Sequence, residues 1–243
     1  MIETQTAAPV RPLRTAVALT GLTIALTLVA ALLISWLAPG LEPVQQRFIA
    51  VLALAVFACI AVAVTSRELF TSGRLHPGLL IVPVLVALAP FAAGIKDVGL
   101  QAGATIILGY LATGIYEELW FRGLVLNSLA SWTPLRAALL SSALFGVTHL
   151  TNIAFGANPA VTAAQVVGAT CFGVGLAALR LRGVSLWPLI ILHAVGDIAL
   201  QLGDVSSAWR WILMVGGDVV LLAFGLLILR PAFRDMSVSQ CTG

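Results

Sequence analysis

Long apolar runs separated by short polar breaks make up most of the chain. The runs are continuous instead of alternating, so they read as helices and not as the strands of a membrane barrel. Three runs, at about 15–37, 48–65 and 78–94, precede the turn at Lys96-Asp97. A fourth follows that turn, and four more lie at about 135–150, 160–180, 184–202 and 209–229. The breaks carry the turn formers and charges: Pro39-Gly40 with residues 42–47, the segment 66–77 with Arg67, Glu68, Arg74 and His76, then Ser131-Trp132-Thr133-Pro134. The break at 151–159 is uncharged, and Arg180, Arg182 and Arg230-Pro231 close later runs. Pro83 and Pro90 should kink the third helix, which a membrane helix tolerates when neighbours satisfy the freed backbone groups. Ala169 and Gly173, four apart, suit close packing of the sixth.

This pattern predicts an all-α polytopic membrane protein with about eight transmembrane helices in one bundle. The first run is too long for the apolar part of a signal peptide and is expected to span. Residues 1–13 form a short cytoplasmic leader, 14–230 a single bundle, and 231–243 a cytoplasmic tail. There is no internal repeat and no second domain.

Composition narrows the class further. The chain is 60% hydrophobic and 9% charged, with a mean hydropathy of +1.06. A soluble domain carries about 25% charged residues, so a water-soluble globule is excluded and the lipid bilayer is the first partner. Nothing points to nucleic acid. Eight spans put both termini on one side. With the N-terminus inside, the inner segments hold Arg11, Arg14, Arg67, Arg74, Arg136, Arg180, Arg182, Arg230 and Arg234, against Arg47, Lys96 and Arg210 outside. That asymmetry predicts cytoplasmic termini. The preference for arginine and alanine suggests a bacterial plasma membrane. Cys59, Cys171 and Cys241 have neither metal-site spacing nor an even count, and read as small hydrophobes.

Against this background one stretch stands out, Tyr116-Glu-Glu-Leu-Trp-Phe-Arg-Gly123, which follows an uncharged segment beginning at Val98. Ionisable groups in a membrane segment are expensive and by default functional. Two more helices carry unusual polar groups, Phe145-Gly-Val-Thr-His149 and His193-Ala-Val-Gly-Asp197. Residues four apart share a helical face. Glu118 can therefore pair with Arg122, leaving Glu117 free for another task; His193 and Asp197 project together, and Phe145 can wall His149. At 1.5 Å per residue His193 lies ~14 Å and His149 ~21 Å from the inner end of its helix. Glu117 reaches a similar depth, ~18 Å, only if the fourth helix continues to about Leu129. Carboxylates and imidazoles so placed suit two chemistries. Glu117, His149, His193 and Asp197 could hold a divalent metal, zinc above all, that activates water. Alternatively Glu117 is the general base and a histidine stabilises the oxyanion, without metal. No serine or cysteine stands out as a nucleophile, although Ser141, Ser142 and Thr148 are near in sequence.

The succession Glu117-Glu118-x-x-x-Arg122, Phe145-x-x-x-His149 and His193-x-x-x-Asp197 resembles the CAAX prenyl protease 2 and bacteriocin-processing (CPBP, or Abi) family of intramembrane proteases, over about residues 105–202. The resemblance implies an eight-helix bundle whose active site lies inside the membrane and opens to the cytosolic side. It implies peptide-bond hydrolysis with Glu117 activating water. His149, His193 and Asp197 would bind water or metal and stabilise the oxyanion, with Glu118, Arg122 and Phe145 in support. Where eukaryotic prenyl proteases have Asn, this chain has Asp197. The expected substrate is a peptide or membrane protein. The other readings are a non-catalytic scaffold or bacteriocin-immunity protein and a proton-coupled transporter; against transport, no inverted repeats are seen.

Overall fold

The computed structural model describes residues 11–230. Eight principal helices follow one another: α1 (Pro12–Leu37), α2 (Pro43–Thr65), α3 (Pro77–Leu88), α4 (Leu100–Glu117), α5 (Pro134–Thr148), α6 (Pro159–Leu181), α7 (Leu186–Leu202) and α8 (Ser207–Ile228). Three are prolonged by helix of another pitch. A 3-10 segment, Ala89–Ala93, follows α3, and another, His149–Phe155, follows α5. A π-helical stretch, Glu118–Val125, follows α4 and ends in the short turn Leu126–Ser128. The leader up to residue 10 and the tail from 231, with Arg234 and Cys241, lie outside the described residues.

The helix starts follow from local chemistry. Proline occupies the first turn of α1, α2, α3, α5 and α6, where its missing N–H leaves no bond unmade. The α2 helix begins before its apolar run because Glu42 and Gln45 form a reciprocal capping box, so most of the expected loop at 42–47 is helical. Asn158 caps α6 and Ser206 caps α8.

Among the described residues, 5 helices are long and apolar enough to cross a membrane: α1, α2, α5 with its 3-10 extension, α6 and α8. The segment Pro77–Ala93 and α7 are shorter apolar helices. Their 17 residues reach only ~25 Å at 1.5 Å per residue. The expected eight helices are thus present, but five of them have spanning length. The two short ones are tied to each other at both ends. Arg74 N–H donates to Gly183 O (2.7 Å) and Ser185 N–H to Arg74 O (3.1 Å) at one end. Lys96 N–H donates to Leu202 O (2.8 Å) and Asp204 N–H to Gly94 O (3.0 Å) at the other.

These ties define two ends of the bundle. One end carries the α2–α3 and α6–α7 connections, the starts of α1 and α5 and the end of α8, and with them Arg11, Arg14, Arg67, Arg74, Arg136, Arg180, Arg182 and Arg230. The opposite end carries Arg47, Lys96 and Arg210. Side chains such as Leu32, Trp36, Val64 and Val167 point outwards and are exposed, as the lipid-facing surface of a bundle requires.

Inside, the helices approach closely through glycine. A Cβ on Gly225 would stand 2.8 Å from Val174 O and 3.0 Å from Gly175 Cα, so α8 and α6 touch backbone to backbone. Gly225→Leu should therefore force α8 away from α6. The expected loss is about 1–3 kcal/mol, the usual range for overpacking, read as a lower apparent melting temperature of the detergent-solubilised protein.

Candidate active site

Three helices bring their polar residues to one place. The centre is His193 on α7, which is buried. Its Nδ1 lies 2.7 Å from Glu118 Oε1, its Nε2 3.3 Å from Glu117 Oε2 and 3.7 Å from Asp197 Oδ2. The same Glu118 Oε1 accepts from Arg122 Nη1 at 2.8 Å. Glu118 is fully buried and holds a guanidinium on one side and an imidazole on the other. Such a charge is tolerable only with partners of this kind. With Glu118 ionised, Nδ1 of His193 must be the donor, which directs Nε2 at Glu117 and Asp197.

The local backbone makes this possible. Helix does continue past Leu119, as the depth of Glu117 requires, but it changes from α to π at Glu118. A π turn lengthens the bonding interval and commonly marks functional positions. Ser141 on α5 donates to the Phe121 carbonyl at 3.2 Å, and the Trp120 indole donates to Leu19 O of α1 at 3.1 Å. The widened turn is therefore fixed to two neighbouring helices.

Aromatic rings wall the charged groups. Arg122 Cζ stands 4.4 Å over the Phe145 ring, a cation–π contact. Phe145 also meets the rings of Phe121 (5.2 Å), His149 (4.9 Å) and His193 (6.1 Å). Gly173 leaves room for the guanidinium, since a Cβ there would be 3.2 Å from Arg122 Nη2. His149 Nδ1 is 3.1 Å from Phe145 O. The carbonyl only accepts, so Nδ1 donates and Nε2 is left as an acceptor.

A cavity of about 660 Å³ lies beside this cluster and is lined by Glu117, Phe145, His149, His193 and Asp197. Glu118 and Arg122 sit behind its wall. Glu117 Oε2 is buried and, although 3.3 Å from His193 Nε2, is not in hydrogen-bond geometry with any described group. Ser141 and Thr148 bond to backbone carbonyls, at Phe121 and Phe145. Among the described residues no group of three or more His, Cys, Asp or Glu is arranged to hold a metal ion. Glu117 and Asp197 both approach the same nitrogen, Nε2 of His193, at 3.3 and 3.7 Å.

Sequence reasoning missed several participants. Phe172 of α6 packs against His193 (4.9 Å), and Arg47 and Tyr110 line the cavity. The Tyr116 and Thr23 hydroxyls are hydrogen-bonded to each other and join α4 to α1. Phe172 adjoins Gly173, so the small-residue face of α6 was the available signal. Asp218 of α8 lines the same cavity, where Gly168 makes space for it: a Cβ there would lie 2.5 Å from Asp218 Oδ2.

The fold and the cluster define a helical membrane protein with a buried carboxylate–imidazole centre. Residues 99–199 match the family model described as Type II CAAX prenyl endopeptidase Rce1-like. The match covers α4, α5, α6 and most of α7, and so includes all seven of the residues singled out by motif. Over those residues the chain is similar to the Rce1-like family, the one that the motifs resemble. No curated protein matches the chain.

Arg122→Met should leave Glu118 buried beside only one partner. Stability should fall by about 3–5 kcal/mol, as when one member of a buried pair is removed. Glu118→Gln combined with Arg122→Met should recover part of the loss. Thermal unfolding in detergent checks both, and full additivity of the two single changes would contradict the pairing.

Proposed function

We propose that the protein is an intramembrane endopeptidase that hydrolyses peptide bonds with a glutamate-activated water. The observation that carries this reading is the partnerless Glu117 oxygen, facing His193 Nε2 across 3.3 Å at the wall of a cavity inside an apolar bundle. The Rce1-like match over 99–199 is that of an endopeptidase family and supports the same chemistry.

In this reading Glu117 accepts a proton from water as the water oxygen attacks the carbonyl carbon. His149, donating through Nδ1 to Phe145 O, offers Nε2 as the acceptor that orients the water. The protonated His193 donates from Nε2 to the oxyanion that forms, and Glu118 holds its ring in place through Nδ1. Collapse of the tetrahedral intermediate breaks the C–N bond, and Glu117 returns its proton to the leaving nitrogen. Asp197 steadies the imidazolium from the next turn of α7. Phe145 and Arg122 fix the geometry from behind. No step is routed through a metal. Zinc is the ion whose ligand chemistry these side chains would suit, and it is the measurable alternative. The substrate is a peptide or a segment of a membrane protein, and the membrane is the bacterial plasma membrane.

Glu117→Ala, His149→Ala and His193→Ala should each lower cleavage by roughly 10²-fold or more, the range of general acid–base catalysis; the first two should melt near the wild-type temperature, whereas His193→Ala, which removes one of the two partners of buried Glu118, should melt lower. Cleavage undiminished in all three folded variants would refute proteolysis at this site and favour a scaffold or immunity protein. Elemental analysis of purified enzyme tests the metal-free route. Stoichiometric zinc in active enzyme, lost in His193→Ala, would overturn it.

A further inference from the structure

Asp218 is the twelfth of the 22 residues of α8, one of the helices long and apolar enough to span. A carboxylate at that depth is expensive, and the rest of the bundle shows how such a cost is met. Glu118 holds Arg122 and His193, and Arg180 donates to the carbonyls of Ser72 and Val184. Asp218 has no such arrangement. Among the described residues no hydrogen bond or ion pair reaches its carboxylate. The charge that acts on it is that of Asp197, which has the same sign. Arg210 precedes it on α8 by eight residues, ~12 Å along the helix axis at 1.5 Å per residue.

The fold nevertheless makes a place for this carboxylate. A Cβ on Gly168 of α6 would stand 2.5 Å from Asp218 Oδ2 and 3.5 Å from its Cγ. Beside it α8 is pressed against α3, where a Cβ on Gly217 would come within 2.9 Å of Val86 Cγ1. Asp218 is thus held at the wall of the cavity that Glu117, His149, His193 and Asp197 also line. The same wall carries Val86, Phe172, Leu213, Met214 and Leu221. Its distance from the reacting groups follows from α6. Gly168 precedes Phe172 by one turn, ~6 Å of helix axis, and Phe172 packs on the His193 ring at 4.9 Å. An extended peptide advances ~3.3–3.6 Å per residue. A carboxylate lodged against Gly168 therefore meets a substrate about two residues from the bond beside His193 and Glu117.

We propose that Asp218 forms a specificity subsite for a basic side chain, Lys or Arg, carried by the substrate close to the cleaved bond. Such a side chain brings the cation that the carboxylate lacks, and its aliphatic stem lies against an apolar wall. Asp218 falls outside residues 99–199, so the family match assigns it no role. The substrate preference rests on the proteolytic reading; the capture of a cation by Asp218 does not.

The test uses the full chain in detergent with a mixture of proteome-derived peptides, the cuts being located by mass spectrometry. Cleaved sequences should be enriched in Lys or Arg about two residues from the cut. One such peptide is then compared with its analogue carrying norleucine at that position. The ratio of the two kcat/KM values should fall ~10-fold or more in Asp218→Asn, as when a site loses the polar partner it discriminates with. Cuts without basic enrichment, or an unchanged ratio in Asp218→Asn, overturn the proposal. Asp218→Asn should also melt no lower than the wild type, because no partner is lost; a lower melting temperature marks a structural carboxylate and overturns it too. Hexylamine, which mimics a lysine side chain, supplies a reading without turnover. It should raise the melting temperature of the wild type more than 1-hexanol does, and Asp218→Asn should abolish the difference. A difference absent from the wild type, or persisting in Asp218→Asn, refutes the cation site. If no peptide is cut while hexylamine behaves as expected, the proteolytic reading fails and the cation site stands.

Discussion

The structure depends on where the charge of Glu118 goes. A carboxylate with no exposed surface, deep in an apolar bundle, must be matched or it destabilises the fold. One oxygen of Glu118 receives both Arg122 Nη1 and His193 Nδ1. The first contact closes within α4 and its π extension, and the second joins that segment to α7. Phe145 from α5 lies under the guanidinium, and Gly173 of α6 lets it fit. Four helices are thereby set around one carboxylate, and the orientation of the central imidazole follows from it.

That arrangement separates two adjacent glutamates by environment. Glu118 is saturated with donors on one oxygen and faces the packed half of the bundle. Glu117, one position earlier, lines the cavity; each glutamate keeps one buried oxygen with no hydrogen-bond partner among the described groups, but only Glu117 presents its carboxylate to the cavity. A pre-oriented histidine beside an uncommitted carboxylate is what acid–base catalysis needs.

Much of the site was legible in the sequence because charge in a membrane segment is rare enough to be informative. Glu118 and Arg122 pair as their spacing implied, and Glu117 meets His193 because helix persists beyond Leu119. What the spacing could not convey was the π turn. Periodicity assumes one pitch, and the change of pitch at Glu118 depends on Ser141 and on the α1 carbonyl that receives Trp120. The extents of α3 with its 3-10 extension and of α7 were read nearly as they stand, at 77–93 and 186–202, but both are shorter than the five helices of spanning length. Hydropathy registers apolar content, whereas their ends are set by backbone pairing between distant loops.

The linear chain determined that this is a bundle of apolar helices, which of its helices carry ionisable groups, and at which end its arginines collect. Those properties follow from local composition and from the free energy of placing each residue in lipid or water. Only the tertiary structure decided that His193, and not His149, contacts both glutamates, and that Phe172 and Asp218 border the same space. Each of these turns on contacts between residues far apart in sequence, made through side-chain packing and glycine-sized gaps that no period along one helix records.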